Sequence, residues 1–277
     1  MSATHAHEVA AGERFEFGEN WARFLEHLDE SRIGGAEKSL CAMLGVENLE
    51  GRTFLDAGSG SGLFSLAAYR LGARVHSFDF DPQSFACTRK LRNQYGDAAR
   101  EWKVEQASVL DRGYLGSLGQ FDVVYSWGVL HHTGSMWEAL GNVAPLVKPG
   151  GLLFVAIYND QGTRSRRWTT VKRIYNKTPR PLRWAVLWPT LLVSWGPRIL
   201  KDALLLRPFR QWRAYGRDRG MSPWRDHVDW VGGYPFEVAK PEQIFQFYRE
   251  RGFEMTNLET AGGTVGCNQF VFRRKAS

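Results

Sequence analysis

The chain has 277 residues, 43% hydrophobic and 23% charged. These proportions exclude a disordered, collagen-like or coiled-coil protein, and the length suits one enlarged domain with a sizeable core. The net charge of +7 is unevenly spread, for Asp160 to Asp226 holds 16 Lys and Arg against 4 Asp and Glu while the remainder is acidic on balance.

Six of the eleven tryptophans, Trp168, Trp184, Trp188, Trp195, Trp212 and Trp224, fall in that basic stretch. A basic, Trp-rich insert on an acidic body marks a contact with membrane lipid or nucleic acid. Cys41, Cys87 and Cys267 lie far apart without CxxC or Cys/His pairing, which excludes a disulfide framework and a thiolate zinc site. The N-terminal stretch has no basic segment followed by an apolar one, so no secretory signal is read and a reducing, cytoplasmic setting is expected.

In chain order, Phe15, Phe17, Trp21, Phe24, Leu25 and Leu28 recur at near-helical spacing and predict a helical cap over residues 1–50. Thr53 to Asp56 is a short β run that enters a glycine loop, and Leu63 to Leu71 reads as a helix stopped by Gly72. Ala73 to Asp79 is the next strand. Asp81 then supplies an N-cap, and Pro82 a first-turn proline, for a helix to about Tyr95. Trp102 to Gln106, Phe121 to Ser126 and Leu152 to Tyr158 are further strands, with a helix from Met136 to Leu146 and a turn at Lys148-Pro149-Gly150-Gly151. Alternating β and α elements imply a parallel sheet covered on both faces. After Tyr158 the alternation stops, and it resumes with a helix from Pro241 to Gly252. Strands Phe253 to Glu259 and Cys267 to Arg273 follow, joined as a hairpin through Gly262, Gly263 and Gly266, so the last strand runs antiparallel.

The sharpest chemical signal is Leu55-Asp56-Ala57-Gly58-Ser59-Gly60-Ser61-Gly62 followed by Asp79. A glycine loop between strand and helix lets backbone approach a ligand closely, and an acidic residue about 20 positions on, ending the second strand, accepts from both ribose hydroxyls. The spacing is GxGxG and not the dinucleotide GxGxxG, no basic pyrophosphate partner follows, and Asp56 precedes the loop. These features favour a nucleoside with a cationic amino-acid tail.

The chain here resembles the class I S-adenosylmethionine-dependent methyltransferases. Residues 55–62, 75–79, 107–111, 121–126 and 148–151 match that family's successive motifs in order. The resemblance implies S-adenosylmethionine as cofactor, with Gly58, Gly60 and Gly62 passing its methionine part and Asp56 near its amino group. It implies Asp79 at the ribose, Phe80 beside the adenine, Ser108 and Val109 at the adenine edge, and Ser126 and Trp127 adjoining the cofactor. Within the superfamily the segment Ser126 to His132 is most similar to the ubiquinone-biosynthesis O-methyltransferase-like group. Gly128 and His131 stand where that group has glutamates that can hold a divalent ion, so no metal site is expected.

The acceptor side is read from the residues themselves. His131 and His132 directly follow the fourth strand, where ligands of open α/β sheets gather. Adjacent residues diverge by about 100° on a helix, so only one faces the site. An imidazole there suits proton removal from an acceptor; His132 or His131 is the base, or both are structural. Tyr158 and Asp160 end the fifth strand and are candidate acceptor contacts, and Trp21 is a candidate lid residue.

The expected architecture is therefore a Rossmann-like, mostly parallel seven-stranded sheet with an antiparallel last strand. The cap is 1–50, the methyltransferase domain 51–159 and 237–277, and the insert 160–236. The expected activity is methyl transfer to an oxygen or sulfur of a small molecule. RNA methylation through the basic insert, and cofactor binding without catalysis, are the competing readings. Within residues 182–206 the uncharged run from Trp184 to Pro197 is shorter than the roughly 20 apolar residues a bilayer span needs, and Pro189 breaks it. Residues 182–206 cap the acceptor pocket, or contact the inner face of a membrane peripherally.

Overall fold

The computed structural model describes residues 2–97, 100–207, 209–219 and 223–276, with no side-chain placement for 2–4 and 216–219. Helices α1 (Ser2–Ala10), α2 (Gly18–Leu25) and α3 (Glu30–Leu44) lead into β1 (Thr53–Ala57), α4 (Leu63–Arg70), β2 (Arg74–Asp79) and α5 (Pro82–Tyr95). Next come β3 (Trp102–Gln106), α6 (Arg112–Ser117), β4 (Phe121–Trp127), α7 (Met136–Val143) and β5 (Val147–Tyr158). Four helices then run in succession: α8 (Thr163–Lys177), α9 (Trp184–Leu204), α10 (Arg210–Arg219) and α11 (Pro223–Gly232). The chain ends with α12 (Pro241–Arg249), β6 (Phe253–Glu259) and β7 (Cys267–Arg274).

The seven strands form one sheet in the order β3-β2-β1-β4-β5-β7-β6. β1 pairs in parallel with both β2 and β4, while β7 runs antiparallel between β5 and β6. The chain winds outward in both directions from β1 and β4, so a crevice opens at their C-terminal ends, the switch point where ligands of such sheets bind. One face of the sheet packs Leu115, Met136, Leu140, Ile244 and Tyr248. The other packs Ile33, Leu40, Leu66 and Leu91 from α3, α4 and α5. A separate cluster of Phe15, Tyr175, Leu187 and Val231 joins the N-terminal segment to the inserted helices.

Local chemistry explains most boundaries. Asp81 caps α5, accepting from the backbone N–H groups of Gln83 and Ser84, and Pro82 fills the first turn, where its missing donor costs nothing. Gly72, at φ +103°, stands where an added Cβ would lie 2.9 Å from the Glu50 Cα, so only glycine closes that turn.

Three elements differ from the sequence expectation. Residues 148–151 do not form a turn between elements but lie within β5. The register shifts there, from Phe121↔Val147 to Val123↔Leu152, so the glycines are taken up as a bulge inside a strand. The helix expected from Met136 to Leu146 closes as a 3₁₀ turn at Ala144–Leu146, where Pro145 ends the α hydrogen bonding. Within the helical cap expected over residues 1–50, residues 2–10 form a helix of their own, α1, ahead of the first apolar period at Phe15. Helix α9 passes through Pro189 and Pro197; both prolines face outward, where water can take the carbonyls they leave free.

Candidate functional site

The glycine loop after β1 is built by exclusion. Gly58 has φ +88°, and a Cβ there would sit 2.3 Å from the Val129 Cγ1. Its N–H and that of Ser59 both donate to the Phe78 carbonyl at the end of β2, which locks the loop against the neighbouring strand. The Gly60 N–H donates to Asp79 Oδ2 at 2.8 Å, and the Asp81 N–H donates to Asp79 Oδ1 at 2.9 Å. Asp79 thus ties the loop to the turn after its own strand, while each oxygen keeps a lone pair for a ligand.

Behind the loop runs a buried polar chain. The Trp102 indole N–H donates to Ser77 Oγ, which shares a hydrogen bond with Ser65, and Ser65 donates to Asp56 Oδ2. The other oxygen of Asp56 is buried without a partner, although the residue lines the cavity. Burial pushes the Asp56 carboxyl up to about 7, and it does the same to Asp79. Two carboxyls whose ionisation is opposed by burial, one with an orphaned acceptor, want a cation.

One cavity of about 730 Å³ joins this rim to a second chemistry. On the cofactor side it is lined by Asp56, Gly58, Gly60, Asp79, Phe80 and Ser108. On the far side stand Phe17, Trp21, His132, Tyr158, Asp229 and Trp230. The N-terminal segment bridges the two. The Arg14 guanidinium lies 5.0 Å from the centre of the Phe80 ring and donates to the His132 carbonyl. The Gly18 N–H donates to Asp81, and the Trp21 indole abuts Gly60.

The two histidines are separated by the single 3₁₀ turn that carries them, Leu130–His132. His132 Nδ1 lies 2.6 Å from the Pro235 carbonyl. A carbonyl can only accept, so Nδ1 carries the proton and Nε2 keeps its lone pair. Burial, with the positive charges of Lys172 and Arg14, holds its pKa down to about 3 despite the Pro235 carbonyl. His132 is therefore a neutral acceptor throughout the physiological range. His131 turns the other way. It is fully buried between the Ala156 backbone and the Tyr158 ring, whose centre lies 4.1 Å away, and it does not line the cavity.

Of the other residues expected at the site, Val109, Trp127, Tyr158 and Trp21 line the cavity. Three do not. Ser126 is buried, donating to the Ala57 carbonyl between β1 and β4. Gly62, at φ +82°, sits against Thr88, where its lack of a side chain lets α5 approach the loop. Asp160 accepts from the Gly162 N–H and shapes the turn into α8.

Sequence reasoning missed the inserted wall. Asp226, Asp229 and Trp230 of α11 line the cavity, and their i, i+3, i+4 spacing on one helix face was the available signal. Burial raises the Asp229 carboxyl to about 7, and the Asn20 amide donates to it. Lys172 is wholly buried, its Nζ 4.2 Å from the Trp230 ring centre and donating to the Trp230 carbonyl. Burial lowers its pKa to about 7. Among the described residues no group of three or more His, Cys, Asp and Glu is placed to hold a metal ion.

A seven-stranded sheet of this order, with a glycine loop and a strand-end carboxylate at its switch point, has the architecture of class I S-adenosylmethionine-dependent methyltransferase domains. Residues 55–153 match the family model of the methyltransferase domain. The chain is similar to the ubiquinone biosynthesis O-methyltransferase of Methylocella silvestris, at 28% identity over 154 residues covering 56% of this chain and 52% of that protein. It is 37% identical over 112 residues to the protein of that name from Caulobacter vibrioides, covering 40% and 42%. The chain thus spans about half the length of these relatives. In fold it resembles the magnesium protoporphyrin IX methyltransferase of Synechocystis with bound SAH, with a TM-score of 0.52 at 15% identity over 88% of this chain and 83% of that one.

S-adenosylmethionine is the cofactor of this domain, and the residues present fit it. The unpartnered Asp56 oxygen and the raised carboxyls suit a ligand carrying ammonium and sulfonium charge, and the strand-end position of Asp79 suits a ribose.

Proposed function

We propose that the protein methylates an oxygen of a small-molecule acceptor, with residues 51–159 and 237–277 holding the cofactor and residues 160–236 forming the acceptor wall. The observation that carries this reading is the single cavity joining the Asp56, Gly60 and Asp79 rim to His132, Tyr158 and Asp229. The printed name of the relatives, O-methyltransferase, supports oxygen as the acceptor atom.

Bound S-adenosylmethionine supplies an electrophilic methyl group. The protein then has to align the acceptor, exclude water and accept a proton. Gly58 and Gly60 let the loop backbone reach the amino-acid end, where Asp56 pairs with the ammonium. Asp79 holds the ribose hydroxyls, and Phe80 with Ser108 and Val109 frames the base. Phe17, Trp21, Tyr158 and Trp230 form apolar walls that hold a flat or apolar acceptor and keep water out. His132 Nε2 accepts the hydroxyl proton. A proton taken up on Nε2 would balance the charge lost from the sulfonium, against the burial, Lys172 and Arg14 that oppose an imidazolium there.

Incubation with methyl-labelled cofactor and a fractionated cell extract tests this reading. Label is expected in small molecules as an ether. Label in RNA, or tight cofactor binding without turnover on any fraction, overturns it.

A further inference from the structure

Among the described residues, eleven of the fourteen exposed large hydrophobic side chains lie between Ile174 and Phe209. Helix α9 concentrates them. One side of it is buried through Leu187, Leu191 and Trp195, which hold it to the protein. The opposite side carries Leu192, Val193, Leu200 and Leu204, 61 to 77% exposed, with Trp184 and Trp188 at the flank. From Trp184 to Pro197 the helix has no charge at all. Soluble proteins rarely leave a contiguous apolar surface of this kind uncovered, and one rimmed by charge marks a contact.

The rim is predominantly basic, with Arg180 lying 3.6 Å from Glu16 of the N-terminal segment. No Asp or Glu occurs from Gln161 to Lys201, and the next, Asp202, is buried and bonded by Gln211. Exposed Arg180, Arg198, Lys201, Arg207, Arg210 and Arg213 border the apolar face. We infer that the outer face of α9, with the basic residues at its ends, is a docking surface for an anionic lipid bilayer, on which the helix lies flat.

The alternatives fit the charge less well. A second copy meeting this face through a two-fold axis would bring two basic rims together. Nucleic acid would meet an uncharged centre where phosphate contacts are needed. Crossing the membrane is excluded for the described residues, since no helix is long and apolar enough. An interfacial helix needs what α9 has: an apolar face buried shallowly, tryptophans at headgroup depth, and arginines on anionic lipid.

The surface is also mechanically close to the cavity. His227 of α11 meets Thr190 Oγ1 at 3.0 Å, and the Trp188 and Trp224 rings lie 5.8 Å apart. Asp226, Asp229 and Trp230 of the same α11 line the cavity. One helix therefore separates the lipid-facing side from the acceptor wall, so an acceptor dissolved in the bilayer would have a short path in. The lipid contact itself does not depend on which atom is methylated.

Vesicle sedimentation with the full chain tests the surface. Partitioning onto phosphatidylcholine vesicles containing phosphatidylglycerol is expected to exceed that onto phosphatidylcholine alone by about tenfold or more, and to fall steeply as salt is raised. Leu192→Asp with Val193→Asp should lose most of this binding, while cofactor affinity and thermal unfolding stay unchanged. Arg207→Glu with Arg210→Glu should remove the dependence on phosphatidylglycerol. Absence of binding at low salt, or equal binding by the Leu192/Val193 variant, overturns the proposal. So does a concentration-dependent dimer, seen by sedimentation velocity and broken by that variant, that forms without vesicle binding.

Discussion

The stretch from β1 to β5 and the inserted helices α8 to α11 bury polar groups under opposite rules. In the first, carboxyls are held by short hydrogen bonds: Asp79 accepts from two backbone N–H groups, and Asp56 from the Ser65 hydroxyl. In the second, charge is mostly spread on the surface as arginine, while Lys172 is enclosed by Trp230 and Phe236, Asp202 is bonded by Gln211 and Asp229 by Asn20. The first region presents anionic groups to a cation in a fixed geometry. The second supplies walls and an outward surface.

The largest expected effect lies at the seam between them. His132→Ala should lower kcat by about 10² to 10⁴ with cofactor affinity nearly intact, since general-base contributions fall in that range. Titration of cofactor by calorimetry beside steady-state rates separates the two, and a loss confined to affinity would sink the assignment of His132 as proton acceptor. Next, Trp195→Ala on the inner face of α9 should cost about 3 to 5 kcal/mol of unfolding free energy, the usual range for deleting a buried tryptophan. Denaturant titration measures it, and a loss below about 1 kcal/mol would mean that α9 is not anchored by that face.

Asp79→Ala should weaken cofactor binding by roughly 10- to 100-fold, because hydrogen bonds to a charged group are worth about 1.5 to 3 kcal/mol. An unchanged affinity in a folded variant would contradict the placement of β2 at the ribose.

A pH series sharpens the electrostatic half of the comparison. Asp56 and Asp79 have carboxyls raised to about 7 in the folded chain. A raised acid pKa contributes stability that is present at low pH and is lost as pH climbs through the folded value, because the buried carboxylates then charge. A cationic ligand prefers those charged forms. Stabilisation by S-adenosylmethionine should therefore grow from pH 6 to pH 8, with proton release on binding, which calorimetry in buffers of different ionisation enthalpy detects. The smallest effect belongs to the outer face of α9. Val193→Ser should change stability by no more than about 0.5 kcal/mol, since nothing packs on that side chain.

Much of the cofactor half was legible because its constraints are local. A glycine that must adopt φ +88° beside Val129, an aspartate that caps its own helix and a carboxylate at a strand end are each dictated by a few neighbours in sequence. Hydrophobic period and glycine position therefore placed β1, β2, α4 and α5 within a residue or two. The bulge in β5 was not legible, since Lys148-Pro149-Gly150-Gly151 has turn composition and only pairing with β4 decides that it stays in the sheet.

The acceptor half was decided by tertiary structure. No local rule distinguishes His131 from His132. The 3₁₀ turn aims one at Pro235 and the cavity and buries the other against Tyr158, and the carbonyl that sets the tautomer lies 103 residues away. In the same way Arg14, Phe17 and Asp229 become neighbours of one cavity only once the N-terminal segment crosses the sheet edge and α11 folds back over it. The sequence by itself determined the sheet, the glycine loop, the cationic preference of the cofactor rim and the basic, tryptophan-rich character of the insert, because these depend on residue type and short spacing. Which imidazole faces the cavity, which inserted helix lines its far wall and which face of α9 is left outside depend on contacts between distant segments, and those exist only in the folded chain.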